Sequence, residues 1–221
     1  MLTAVKADTR HRLMAAANQL FLEHSIDEIS ISDIHAAADQ KNTSAINYHF
    51  GGKKGLIMAL VEPRLTEINT HRQQRVAQLE STGKPQLRDY VAALVMPQAE
   101  QLYIAPDGVV FIRLMAQLVA HPEYDELRSH LMRIDEENNS LAQILSLPQM
   151  KKMGEHIWMS RWILVMSLIY HGLADYSRFL QRPPKNMPLP EPETFFEQLV
   201  STICVAIENP TNRTEKRRRK K

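Results

Sequence analysis

The chain has 221 residues, a single cysteine and a formal net charge of +2. That length can bury a full core and divides into a small domain of about 60 residues and a larger one. A hydrophobic content of 44% with only 7 glycines excludes a disordered chain and favours helices over sheet, and the lone Cys204 excludes an intramolecular disulfide.

A reducing, cytoplasmic location fits that cysteine usage, and the opening MLTAVKADTRHR lacks the apolar run of a secretory leader. Charge is unevenly placed. The tail from Arg213 to Lys221 carries +6, so the remaining residues carry −4. Residues 1–55 balance to zero, with Lys6, Arg10, Arg12, Lys41, Lys53 and Lys54 set against six acids, so total charge alone does not point to nucleic acid.

Residues 5–25 place Leu13, Ala17, Leu20 and Phe21 at helical spacing, and Ser25 to Glu28 reads as a turn pinned to the core by Ile29 and Ile31. Ser32 then stands as a cap before a short helix, Asp33 to Ala38, rich in alanine with an acid in its first turn. Asp39 to Asn42 breaks that helix. Asn42 or Thr43 caps a second one, Ser44 to Phe50, which ends at Gly51-Gly52, where glycine takes the left-handed conformation without strain. Small or branched Ile34, Ala37, Ala38 and Ile46 let the two helices cross closely. Thr43, Ser44, Asn47 and Tyr48 are left outward, a polar face that fits a major groove.

Within this helix-turn-helix, Ile34, Ala38, the run Ala45-Ile46-Asn47-Tyr48-His49-Phe50, Gly51, Lys53 and Leu56 resemble the DNA-binding domain of the TetR family of bacterial transcriptional regulators, over residues 5–62. Tyr48-His49-Phe50-Gly51 followed by Lys53 is the most discriminating part. Two departures stand out: Asp39-Gln40 with one extra residue where that family has a glycine turn, and Asn47 where it often has tyrosine. The resemblance implies an all-α protein, with an N-terminal three-helix DNA-binding domain joined by a long helix to a larger ligand-binding and dimerisation domain. It implies groove contacts from Thr43, Ser44, Asn47 and Tyr48. Lys41, His49, Lys53 and Lys54 are the expected phosphate contacts, with His49 alternatively holding its neighbouring helix, and Ser32 and Asn42 complete the DNA-binding set.

A helix from Lys53 to about Glu80 contains Pro63, which bends it and offers a hinge. Gly51-Gly52-Lys53-Lys54-Gly55 is not a nucleotide loop, because it lacks the preceding strand, the full glycine spacing and a hydroxyl after the lysine. Thr82 to Pro85 marks the next boundary. Gln86 to Tyr103 is amphipathic, Ala105-Pro106-Asp107-Gly108 reads as a break, and Val109 to Ala120 as a central helix buried on most sides. After His121-Pro122-Glu123 comes Tyr124 to Leu145, with a solvated polar face at Asp135 to Ser140. Lys151 to Leu180 bears a wide apolar stripe, interrupted by Arg161 and His171, that suits an oligomer interface better than a membrane span. A proline-rich loop leads to a last amphipathic helix containing Phe195, Phe196, Leu199, Val200, Ile203 and Ile207.

The expected domains are therefore 1–62 for DNA binding, 63–208 for effector binding and dimerisation, and a basic disordered tail at 209–221 that attracts phosphate. The resemblance implies a homodimer through the last two long helices on a near-palindromic double-stranded site. It also implies an effector pocket in the larger domain, for which Phe111, Met115, Leu118, Met153 and Trp158 are candidate lining groups, with Arg161 or Arg113 to meet an anion. No catalytic or metal-ligating constellation emerges from the nine scattered histidines or Cys204, and no cofactor is expected. The expected function is a ligand-responsive repressor released by a small, lipophilic effector. The competing reading is a helical protein-interaction adaptor with a degenerate DNA-binding head.

Overall fold

A computed structural model describes residues 2–137, 143–144, 146–147, 150 and 155–208. Among these the chain forms only helices and loops, with no strand. Three helices build the head: α1 (Leu2–Phe21), α2 (Ile31–Ala37) and α3 (Ala45–Phe50). The 30-residue α4 (Lys53–Thr82) continues into the body with Pro63 inside it, as expected, so the boundary drawn at 62/63 falls within an unbroken helix. The body adds α5 (Leu87–Ala99), α6 (Ala105–Ala120), α7 (Asp125–Glu137), α8 (Glu155–Gln181) and α9 (Pro192–Glu208), with single 3-10 turns at Glu100–Tyr103 and Pro122–Tyr124.

The head core joins Leu13, Ala17 and Phe21 of α1 to Ile26, Ile29, Ile34, Ala45, Ile46, Leu56 and Ile57, all buried. In the body, α6 is the central helix: Val110 to Ala116 and Leu118 are all buried, and it packs on α1, α4 and α8. That agrees with the central helix, buried on most sides, expected over Val109 to Ala120.

Two boundaries differ from the sequence reading. Ser30, not Ser32, caps α2: its hydroxyl accepts from the Asp33 N–H at 3.1 Å, and the Asp33 carboxylate accepts from the Ser30 N–H at 2.7 Å and its hydroxyl at 2.6 Å. This reciprocal box uses the i, i+3 spacing. The hydroxyl and then the backbone of Ser30 hold the Asp33 carboxyl below its ordinary value of 3.8. A depressed folded pKa makes the box complete above 3.8 and loses it as pH falls through the folded value. Ser30→Ala is expected to lower the melting temperature by about 3 °C and to move the Asp33 titration only part of the way back, since the backbone N–H of residue 30 still bonds the carboxylate, both readable by thermal melting and side-chain resonance titration.

The stretch Ala105-Pro106-Asp107-Gly108, read as a break, is instead the first turn of α6. Proline needs no donor there and the acid suits the helix's positive end. Glycine is required at 108, since a Cβ would lie 2.1 Å from the Gln101 carbonyl oxygen.

Candidate nucleic-acid interface

The turn between α2 and α3 rests on Asp39, whose φ of 46° is the left-handed conformation that glycine would otherwise supply. Aspartate is among the few side chains that tolerate it. Asn42 then accepts the Ser44 N–H at 3.0 Å, closing a local turn, and Ser44 takes the N-cap position of α3 without a side-chain cap bond. Neither Asn42 nor Thr43 caps the helix directly. The cap comes from His35 on α2, a residue that the sequence reading passed over: its buried Nε2 accepts the Ile46 N–H at 3.3 Å, joining the two helices through a ring protonated on Nδ1. The partners lie eleven positions apart, and no local pattern signals the pairing. Gly51 ends α3 with φ 73°, the expected left-handed stop.

On this frame Ala45 and Ile46 face the core, while Lys41, Asn42, Thr43, Ser44, Asn47 and Tyr48 are exposed, Tyr48 by 65%. Ser32 is exposed in the first turn of α2. The half-buried His49 meets the Tyr48 ring edge-on at 5.0 Å and lies 6.2 Å from Phe50, which in turn carries the Arg10 guanidinium over its face at 5.0 Å. That stack anchors α3 to α1.

Lys53 and Lys54 are placed differently from the rest of the predicted set. The Lys53 ammonium donates to the Ile26 carbonyl in the α1–α2 loop, and desolvation lowers its pKa. Lys54 lies 5.6 Å over the Tyr124 ring of the body. Lys53 therefore ties the start of α4 to the α1–α2 loop within the head, and Lys54 braces the head against the body.

Behind the head, α6 presents a polar ladder at one-turn spacing. Arg113, 7% exposed, donates to the Leu22 carbonyl, to Ser177 Oγ at 3.2 Å and to Gln181 Oε1 at 2.7 Å. Gln117 Oε1 accepts the Ile26 N–H at 2.7 Å, and His121 Nε2 sits 2.9 Å from Asp27. Arg113 and Gln117, one turn apart on α6, and His121 just past its end thus hold the end of α1 and its loop, while Arg113 also reaches α8.

The predicted pocket residues separate in space. Phe111 lines a cleft between α1, α4 and α6, whereas Met115 and Leu118 are ordinary buried core. Trp158 stacks on Trp162 at 5.8 Å, and Arg161 donates to the Ile207 carbonyl, tying α8 to α9. The two arginines offered to an anion are thus both engaged within the fold. Met153, residues 138–140 of the expected polar face and the basic tail at 209–221 lie outside the described residues. A polar group that the sequence reading missed is Gln98 of α5: it is fully buried, and neither amide atom has a protein partner. Such burial costs about 1–3 kcal/mol for each unmet group. On the outer side of the body, α8 leaves Met159, Ile163 and Leu164 exposed and α9 leaves Val205 exposed, each by more than half. The α8 segment His156–Gln181 is long and apolar enough to cross a bilayer, but half of its most apolar window is buried in the fold, as in the core helix of a globular domain.

Residues 13–60 match the family model described as bacterial regulatory proteins, tetR family. No curated protein matches the chain by sequence. Among solved structures, the fold is similar to NalD, the secondary repressor of the MexAB-OprM multidrug efflux pump in Pseudomonas aeruginosa. The TM-score is 0.58 at 17% identity, covering 91% of this chain and 96% of that one. The TetR family repressor AlkX from Dietzia sp. strain DQ12-45-1b, implicated in biodegradation of n-alkanes, aligns at 14% identity over 89% of this chain and 92% of its own, with a TM-score of only 0.39. Residues 13–60 thus form a DNA-binding domain of the tetR family, set at the head of an all-helical fold.

Proposed function

We propose that the protein is a ligand-responsive repressor that binds a near-palindromic operator as a homodimer in the cytoplasm. The observation that carries this reading is the exposed face of α3. Tyr48, Asn47, Ser44 and Thr43 stand in solvent on a helix whose opposite side, Ala45 and Ile46, is locked into the head core. A large aromatic exposed beside short polar groups offers hydrogen bonds and apolar contact to base edges. Lys41 is the best-placed phosphate contact; the anchored positions of Lys53 and Lys54 make them braces first and phosphate contacts only through movement of the head. The exposed apolar groups of α8 and α9 support pairing of these helices across a two-fold axis, which sets two reading helices at a fixed spacing. Effector response rests on the polar ladder of α6, through which a change in the body reaches the α1–α2 loop.

Selection of sites from a random duplex pool at two salt concentrations tests the reading. An enriched palindrome is expected. Tyr48→Ala is expected to weaken binding to it by about 10–100-fold while the protein stays folded, with only a small loss in melting temperature from the lost edge-on contact to His49. Absence of enrichment by a folded, full-length protein would move the assignment to a protein-interaction adaptor.

A further inference from the structure

A cleft of about 260 Å³ opens where α1 and the head end of α4 meet α6. Its floor is apolar, made by Met14, Leu60, Val110, Phe111 and Leu114, and its rim carries Asn18, Arg64, Glu67 and Asp107. The rim charges do not cancel. Arg64 is already bonded to Glu67 at 3.1 Å, so among the described residues the Asp107 carboxylate, in the first turn of α6, has no cationic side-chain partner and meets the neutral amide of Asn18 at 3.4 Å, the outer limit of a hydrogen bond. The wall adds another acceptor. Pro63 has no N–H, so the Ala59 carbonyl one turn earlier loses its intrahelical donor, and both residues line the cleft.

We infer that this cleft binds a small organic cation with a flat apolar body. The body lies against the half-buried Met14 and Leu60, and the cationic head meets Asp107 and, if it carries an N–H, the Ala59 carbonyl. An anion of the same shape meets a rim of two carboxylates against one guanidinium and is disfavoured. Asn18 belongs to the head and Asp107 to the body, so the cation competes with a head-to-body contact, and occupancy loosens α1 from the first turn of α6. The inference deepens the regulator reading by naming a ligand class, but its test uses no DNA, so the two can fail separately.

The test is an amide-resonance titration of the full-length protein with benzyltrimethylammonium, set against phenylpropanoate as an anion of similar size. Saturable shifts are expected at the Asn18 side-chain amide and along residues 59–67 and 107–114, with phenylpropanoate binding more weakly. Asp107→Asn, which keeps shape and an exposed polar group, is expected to weaken the cation by about fivefold. Asn18→Ala removes the competitor for Asp107 and is expected to tighten it, an effect that a purely structural Asn18 would not produce. No saturable binding, equal affinity for the two probes, shifts confined to other helices, or equal cation affinity in wild type and a folded Asp107→Asn protein would each overturn the assignment.

Discussion

Gly55→Ala is expected to destabilise the protein by about 3 kcal/mol, although the same change inside a helix ordinarily stabilises by about 1 kcal/mol. Gly55 lies in the first turn of α4, directly beneath the carbonyl that ends α3. A Cβ built there falls 1.7 Å from the Phe50 oxygen and 2.8 Å from its carbonyl carbon. Both obstacles are backbone, so no rotamer change relieves the clash. The last turn of α3 must move away from α4, taking Phe50 from the Arg10 guanidinium and Tyr48 from its present position. Gly83→Ala serves as the comparison. It stands at the other end of α4 with φ 177°, an extended conformation open to any residue, and its Cβ would meet nothing within 4 Å. Urea unfolding is expected to leave Gly83→Ala within about 0.5 kcal/mol of wild type. Equal stability of Gly55→Ala and wild type would show that α3 and α4 adjust freely at this corner. Under the proposed function, the Gly55→Ala protein also loses operator affinity while any folded population remains, because the reading helix is displaced.

How much of this could be read beforehand depended on whether the partners were local. The apolar spacing of α1, the buried character of α6, the run of α4 through Pro63 and the left-handed stop at Gly51 follow from patterns within a few residues, and the structure shows each of them. Ser30 was also legible, since it stands three residues before Asp33 as a capping box requires; Ser32, adjacent to the acid, drew attention instead. Ala105 to Gly108 was misread because proline, aspartate and glycine serve turns and helix starts alike, and only the Gln101 carbonyl against Gly108 distinguishes the two. The exposure of Asn47 and Tyr48 opposite the buried Ala45 and Ile46 emerged because helix periodicity separates an outer from an inner face. The directions of Lys53, Lys54, Arg113 and Arg161 did not emerge. Their partners are Ile26, Tyr124, Leu22 and Ile207, each well outside any local window, and a long cationic side chain takes its direction from tertiary acceptors.

Arg113→Met is expected to cost about 2 kcal/mol of stability, and to weaken operator binding by more than that loss alone accounts for. Methionine keeps most of the aliphatic stem and the buried volume, so the change isolates the guanidinium. Of its three acceptors, Ser177 retains a bond to the Ala174 carbonyl at 2.6 Å and Gln181 reaches solvent, whereas the Leu22 carbonyl at the end of α1 is left facing an apolar thioether. Burial, and then the fields of Arg178 and Arg182, lowers the Arg113 pKa, so the native site already bears the expense of holding a cation there. That expense is offset only while all three acceptors are engaged. Arg113→Lys is accordingly expected to recover less than half of the loss, since one ammonium cannot reach in three fixed directions. Amide exchange provides the local readout: protection from residue 22 to Ile26 is expected to fall in Arg113→Met while the α2 and α3 amides keep theirs, because the Gln117 bond to Ile26 and the His121 pair with Asp27 lose their upper neighbour on the ladder. Fully folded Arg113→Met is expected to bind operator about tenfold more weakly. Unchanged affinity would mean that the head orients itself on DNA without the body. The link from α8 through Arg113 to α1 would then be a stabilising contact alone, and effector response would have to travel along α4.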